Sequence, residues 1–314
     1  FAHRDYLMAK IWVLTGKRQG DNAQALALAA ALGGECHEIK LDWTHWRVLP
    51  NALLGTSLRC ITASARARLV GPWPDLVIGI GRRSVPVARW IKAQSGGKTK
   101  LVHLGNPRAE ISHFDLIATT PQYGVPDGPN VLRLPLPFCA APAEPEDLEY
   151  WQAEWRDLPR PLSGIILGGN AWPFRFTRRF GLELIDHVAR QTRGGTAVIV
   201  ASPRTPAHFT ALLQRAIRPP HRVYGWGNGA ANPYRSLLKL ADTLTVSGDS
   251  VSMFNDVIMA RKPFTVLPVP KRPLSSLIRL RDVEAVHRQN AADIRERAQL
   301  QHENALGRIR SLVS

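Results

Sequence analysis

The chain has 314 residues, 45% of them hydrophobic, and carries a formal net charge of +16, a length that suits two domains of ordinary size. Its apolar runs, such as Ile165 to Leu167, fall far short of the roughly 20 residues that cross a bilayer, and its three cysteines, Cys36, Cys60 and Cys139, lie far apart without a CxxC, which argues against a disulfide framework or a zinc site and for a reducing, cytoplasmic setting. The charge asks for an anionic partner: nucleic acid, a membrane surface or a phosphorylated small molecule.

The leading FAHRDYL has no apolar core and no cleavage site of a signal peptide, so the reading starts at Met8. Ile11 to Leu14 reads as a strand, TGKRQGDN as a polar turn, and Ala23, Leu26, Ala27, Ala30 and Ala31 as one buried helical face. Gly16 and Gly20 permit close approach of a ligand to the backbone, while Asp21 sits in this first strand-to-helix turn. Neither GxGxxG nor GxxxxGK[ST] is matched, and a turn chosen only for its geometry explains the same residues. Cys36 to Ile39 reads as a second strand and Asn51 to Leu69 as a partly apolar helix ended by Gly71-Pro72-Trp73-Pro74. Asp75 to Ile80 is a buried parallel strand, followed by a helix that Ser84 caps. Lys100 to Leu104 and Asp115 to Ala118 are further strands.

From Arg59 to Lys100 nine basic residues face one acid, Asp75, a segment charge of +8. Arg66, Arg68, Arg82, Arg83 and Arg89 belong to it, beside the largely apolar Leu53 to Ile61. This reads as an interfacial membrane or acceptor patch more than as a nucleic-acid platform, since aromatic residues are not interleaved with the charges; a solvated basic face is the plainer alternative.

A proline-rich, acidic stretch changes the composition, and the linker is placed at 139–160 between an N-terminal domain at 8–138 and a second at 161–275. The second half runs strand (Gly164 to Leu167), Gly168-Gly169-Asn170, helix, strand (Thr196 to Ala201), Ser202-Pro203-Arg204-Thr205, helix, strand (His221 to Tyr224), then LADTLTVSGDSVSMFNDVIMARKPFTVLPVP. That last stretch is a βαβ unit whose turn, Ser247 to Ser250, opens a helix. Ser250 or Asp249 caps it; Ser252, Met253 and Asp256 lie on its first turns. Residues 276–314 read as a helical segment packing back across the domain interface.

Alternating β and α elements predict two Rossmann-like, doubly wound α/β domains facing a cleft. The turns at Gly168 to Asn170, Ser202 to Thr205 and Ser247 to Asp256 together suit a nucleotide diphosphate, with Arg204 neutralising phosphate. Each polar residue also serves as an ordinary cap. No HExxH and no DxD cluster is present, so no metal and no cofactor are expected. No GxGxxG opens either half, and the one YxxxK spacing, Tyr6 with Lys10, precedes the first strand, which argues against nicotinamide chemistry.

The sequence resembles the plant mitochondrial-fission "elongated mitochondria" family and its bacterial homologues, through TGKRQGDNAQAL (Thr15 to Leu26), IGRRSVPVARWIK (Ile80 to Lys92), SPRTP (Ser202 to Pro206) and NPYRSLLKLADTLTVSGDSVSMFNDVIMARKP (Asn232 to Pro263). It departs from that pattern at Asp256, where the family has glutamate, and at Gly105 to Arg108. The resemblance implies a GT-B glycosyltransferase-like fold. Two readings follow: a metal-independent glycosyltransferase, peripheral to the inner membrane on its cytoplasmic side, which takes a nucleotide-sugar to an envelope lipid or polysaccharide with Asp21 as base and Asp115 behind it; or a non-catalytic scaffold on membrane.

Overall fold

The computed structural model describes residues 9–139, 144–192, 194–227, 231–272 and 291–314. The chain forms two compact α/β units, residues 1–141 with 292–314 and residues 142–291.

The first unit is built from β1 (Lys10–Thr15), α1 (Gln19–Leu32), β2 (Glu35–Lys40), the single turns α2 (Asn51–Leu54) and α3 (Ala63–Arg66), β3 (Leu76–Ile80), α4 (Ser84–Gln94), β4 (Lys100–Leu104), β5 (Leu116–Thr119) and β6 (Val131–Arg133). All pairings are parallel, in the order β2-β1-β3-β4-β5-β6. Because side chains alternate along a strand, Trp12 and Leu14 face Val87 and Ile91 of α4, while Ile11 and Val13 face Leu28 and Ala29 of α1. Each such side chain contributes about 2 kcal/mol on burial.

The second unit runs α5 (Leu148–Glu154), β7 (Leu162–Leu167), α6 (Arg178–Gln191), β8 (Thr196–Ala201), α7 (Ala207–Ala216), β9 (Arg222–Tyr224), α8 (Tyr234–Leu240), β10 (Thr243–Ser247), α9 (Val251–Met259) and β11 (Phe264–Leu267). Its sheet is again parallel, in the order β11-β10-β7-β8-β9. At Gly164 in β7 an added Cβ would meet Leu237 and Ala241 at 3.0 Å, so the glycine lets α8 and the chain after it lie against the central strand. Terminal helix α10 (Ala291–Val313) returns to the first unit, where Ala305 and Ile309 join the α1 face of the sheet.

In each sheet the strand order turns back beside the first strand, between β1 and β3 and between β7 and β10. Ligands of open α/β sheets bind outside the carboxyl ends of the strands at such points.

Several expectations change. Helix α1 starts at Gln19, so Gly20 and Asp21 lie inside its first turn. Its buried face is Ala25, Ala27, Leu28 and Ala29, whereas Ala23, Ala30 and Ala31 are exposed. Alanine occupies so many positions that spacing alone selects no face. Asn51 to Leu69 is two single turns, because Gly55 takes a positive φ of 54° that ends the first. Strand β6 and helix α5 were not foreseen. Helix α5 lies in the stretch read as a linker and buries Trp151 and Trp155 in the second unit, where Trp155 donates its indole N–H to Tyr224 Oη at 3.0 Å. Helix α10 continues through Gly307. The part of the terminal helical expectation at 276–290 falls outside the described residues.

Candidate functional site

Three of the second unit's carboxyl-edge turns meet in one hydrogen-bonded cluster. Ser247, the last residue of β10, accepts the Gly168 N–H at 2.7 Å and donates its hydroxyl to Asp249 Oδ1 at 2.7 Å. Asp249 Oδ2 accepts the Gly169 N–H at 3.0 Å and pairs with the Arg204 guanidinium at 3.3 Å. From the β8 turn, Ser202 donates to the Gly168 carbonyl at 2.6 Å, Thr205 donates to the same oxygen, and the Asn170 N–H reaches the Arg204 carbonyl at 3.1 Å.

The two glycines are required by this closeness. A Cβ at Gly168 would lie 2.2 Å from the Asp249 carboxylate, and one at Gly169 would lie 2.0 Å from the Arg204 carbonyl oxygen. Asp249 is therefore an internal tie rather than the helix cap, which is Ser250, whose side chain accepts the Met253 N–H. The Asp249 side chain is fully buried while Arg204 is 40% exposed, so one face of the guanidinium looks outward. Burial raises the Asp249 carboxyl above its ordinary value against the pull of Arg204, Ser247 and Gly169. Asn170 is engaged too, its Oδ1 accepting the Phe176 N–H at 2.9 Å.

What the cluster leaves open is at the start of α9. Among the described residues, the first-turn amides of Val251 and Ser252 have no partner, and the Ser252 side chain is exposed. One turn on, Asp256 Oδ2 accepts the Tyr234 hydroxyl at 2.6 Å. Burial raises the Asp256 carboxyl, and it raises the Tyr234 phenol well above its usual range with help from the neighbouring Asp256 charge. One oxygen of Asp256 is thus committed to Tyr234, which sequence reasoning did not connect with the site. The signal was the NPYR turn, in which Asn232 Oδ1 accepts the Tyr234 N–H at 3.1 Å and holds the start of α8.

At the first unit's corresponding point, Asn22 rather than Asp21 holds the loop: Gly16 N–H donates to Asn22 Oδ1 at 2.9 Å and Asn22 Nδ2 to Gly16 O at 2.7 Å. Asp21 lies 3.8 Å from Arg18 and does not cap the helix, whose N-cap is Arg18. The second base candidate, Asp115, is corrected. It precedes β5, at the amino edge of the sheet, and accepts from Lys92 and from the Leu101 N–H, each at 2.8 Å.

The basic segment does not make one patch. Lys92 and Lys100 gather on Asp115 at the amino edge, while Arg82 and Arg83 follow β3 at the carboxyl edge. Arg66 donates to the carbonyls of Leu58 and Ile61, Arg68 to that of Lys40 at 2.6 Å, and Arg89 lies partly buried on α4. No group of three metal-ligating side chains occurs among the described residues.

The sequence profile of the mitochondrial fission ELM1 family matches residues 19–302. The chain belongs to this family. "Mitochondrial fission protein ELM1" of Arabidopsis thaliana is 24% identical over 245 residues, 69% of this chain and 56% of the plant protein, so the match spans little more than half of that relative's length. The "Uncharacterized protein RP120" of Rickettsia prowazekii (strain Madrid E) is 23% identical over 299 residues, 83% of each chain. Among solved structures, Anabaena Alr3699/HepE in complex with UDP and glucose superposes with a TM-score of 0.55 at 11% identity, over 96% of this chain and 100% of that one. A glycosyltransferase from Rickettsia africae ESF-5 gives 0.55 at 11%, over 98% and 100%. At these identities the likeness establishes the fold alone: this ELM1-family chain has two Rossmann-like units, a fold it shares with that glycosyltransferase.

Proposed function

We propose that this ELM1-family chain is a GT-B-type glycosyltransferase that holds a nucleotide-sugar at the carboxyl edge of its second sheet. The observation that carries the reading is the pairing of a half-exposed Arg204, braced by buried Asp249, with the free first-turn amides of α9. A diphosphate seated there gains guanidinium and amide hydrogen bonds, and the same groups stabilise the charge that develops on the leaving diphosphate. Ser252 donates to a phosphate oxygen, and the free oxygen of Asp256 accepts a ribose hydroxyl. Asp21 is the proposed base, and the acceptor is an envelope lipid or polysaccharide at the cytoplasmic face of the inner membrane.

One observation favours a second reading, a binding scaffold without transfer: the amides of Gly168 and Gly169 and the side-chain oxygen of Asn170 are already satisfied within the protein. Titration with UDP-, GDP-, ADP- and CMP-sugars separates protein and ligand effects. The expected result is a rise in melting temperature with one of them at millimolar concentration, lost in Arg204→Ala. No shift with any donor contradicts nucleotide binding. Donor binding without release of nucleoside diphosphate on adding membrane extract, and no effect of Asp21→Ala, selects the scaffold.

A further inference from the structure

The loops after β2, β1 and β3, three neighbouring strands, each bring arginine to the carboxyl edge of the first sheet: Arg47 in the helical turn His45–Val48, Arg18 before α1, and Arg82 with Arg83 before α4. Arg82 is fixed in place, its guanidinium donating to the carbonyls of Leu49 at 3.0 Å and Arg47 at 3.3 Å. Among the described residues the side chains of Arg47 and Arg83 have no hydrogen-bond or ion-pair partner. The carboxylates of these strands and loops are otherwise engaged or marginal: Glu38 accepts the Thr15 hydroxyl at 2.8 Å, Asp42 pairs with Arg68 at 3.6 Å, and Asp21 pairs with Arg18 at 3.8 Å. Partial burial and the charges of Arg47, Arg82 and Arg18 all lower the Arg83 pKa, as expected of crowded guanidinium groups. Beside this cluster the chain exposes Trp46 at 45%, Val48 at 68% and Leu53 at 71%.

Four cations, of which Arg18 alone has a carboxylate within 4 Å among the described residues, bordered by a tryptophan and two aliphatic side chains, have the chemistry of a membrane interface, where phosphate meets guanidinium and apolar side chains enter the acyl boundary. We infer that Arg18, Arg47, Arg82 and Arg83, with Trp46, Val48 and Leu53, form the surface by which the first unit docks on phosphate-bearing anionic lipid. This deepens the membrane part of the proposed function and rests on it. It is independent of sugar transfer, because docking needs no donor. It also narrows the membrane surface: Arg68 is paired with Asp42 at 3.6 Å, and Lys92 and Lys100 lie at the opposite edge of the sheet.

The test is co-sedimentation of the full chain with vesicles of phosphatidylcholine alone or with phosphatidylglycerol, without nucleotide-sugar, beside calorimetric titration with inorganic pyrophosphate. The expected result is binding to the anionic vesicles only. It should fall about 25-fold in Arg47→Ala/Arg83→Ala, at about fivefold for each arginine removed, and clearly in Trp46→Ser/Leu53→Ser. A charge-matched control, Arg59→Ala/Lys98→Ala, should lose much less. The Arg47→Ala/Arg83→Ala protein should melt no lower than wild type, since the change relieves like-charge repulsion, so lost binding is not lost folding. Equal losses in the control and the arginine pair overturn the inference, as does pyrophosphate binding at these arginines with no vesicle binding, which would identify a free phosphorylated ligand. Arg204→Ala should leave vesicle binding intact, so failure of the nucleotide reading and failure of this one are told apart.

Discussion

Each unit has a switch point beside its first strand, in parallel sheets of different strand order, and the two treat charge there in opposite ways. In the second unit the turns tie to one another: Asp249 lies inside, glycines at 168 and 169 let the strands' loops close on it, and Arg204 is neutralised on its inner face. In the first unit the turns are tied more loosely: Arg82 reaches the backbone carbonyls of the loop after β2, Gly81 has nothing within 4 Å of its would-be Cβ, and the Arg47 and Arg83 side chains have no partner among the described residues. A closed, pre-organised turn suits a ligand held in one pose, whereas an open cationic edge suits a surface that tolerates many lipid arrangements.

The largest expected contrast is steric. Gly169→Ala should cost about 4 kcal/mol of unfolding free energy or abolish folding of the second unit, because the new methyl meets a backbone carbonyl that no rotamer can move. Gly81→Ala, with a φ of 71° and open space, should cost only about 1 kcal/mol. Denaturant titration of both variants checks the difference, and similar costs would break the comparison.

Next in size is the response to acid. His103 of β4 is fully buried, neither ring nitrogen has a partner, and burial lowers its pKa from 6.5 to about 3. Between those values the unfolded chain binds more protons, so stability is full above pH 6.5 and declines as the pH falls. The loss down to about pH 4 should approach 3 kcal/mol, and His103→Leu should flatten it. The raised Asp249 carboxyl acts with the opposite sign: its contribution is complete below pH 3.8 and is lost as pH rises through the folded value. Melting curves against pH for wild type and His103→Leu measure the balance.

Asp249→Asn should cost about 2 kcal/mol, since it removes the counter-charge of Arg204 and turns an amide group toward one of its donors. Calorimetry at neutral pH would show it, and a neutral outcome would mean that Arg204 needs no inner partner. The smallest effect belongs to Asp256→Asn, where the amide oxygen still accepts the Tyr234 hydroxyl. Its ionised parent loses stability as pH rises above the ordinary 3.8, so the variant should be slightly more stable near neutrality, by less than about 1 kcal/mol.

Much of this architecture was legible because buried parallel strands such as Lys100–Leu104, Leu162–Leu167 and Thr196–Ala201 are short apolar or β-branched runs bounded by turn residues. Helix α1 was legible as a helix but not as a face, since its alanines carry little hydrophobic contrast. Strand β6 has three residues and one buried side chain, too little pattern to detect. The three turns of the second unit could be named from glycine, serine and arginine after strands. That Asp249 turns inward, that Asn22 and not Asp21 closes the first loop, and that Tyr234 meets Asp256 are products of tertiary geometry, which no spacing along the chain encodes.

The central claim is that the second unit's closed turn, and not the first unit's arginines, seats the nucleotide diphosphate. Amide chemical shifts recorded during titration with the donor selected by thermal shift test it most directly. Saturable changes are expected at Val251 and Ser252 that disappear in Arg204→Ala, with Gly81 to Ser84 unmoved. Changes confined to Arg82 and Arg83, or none at either turn at millimolar donor, would contradict it.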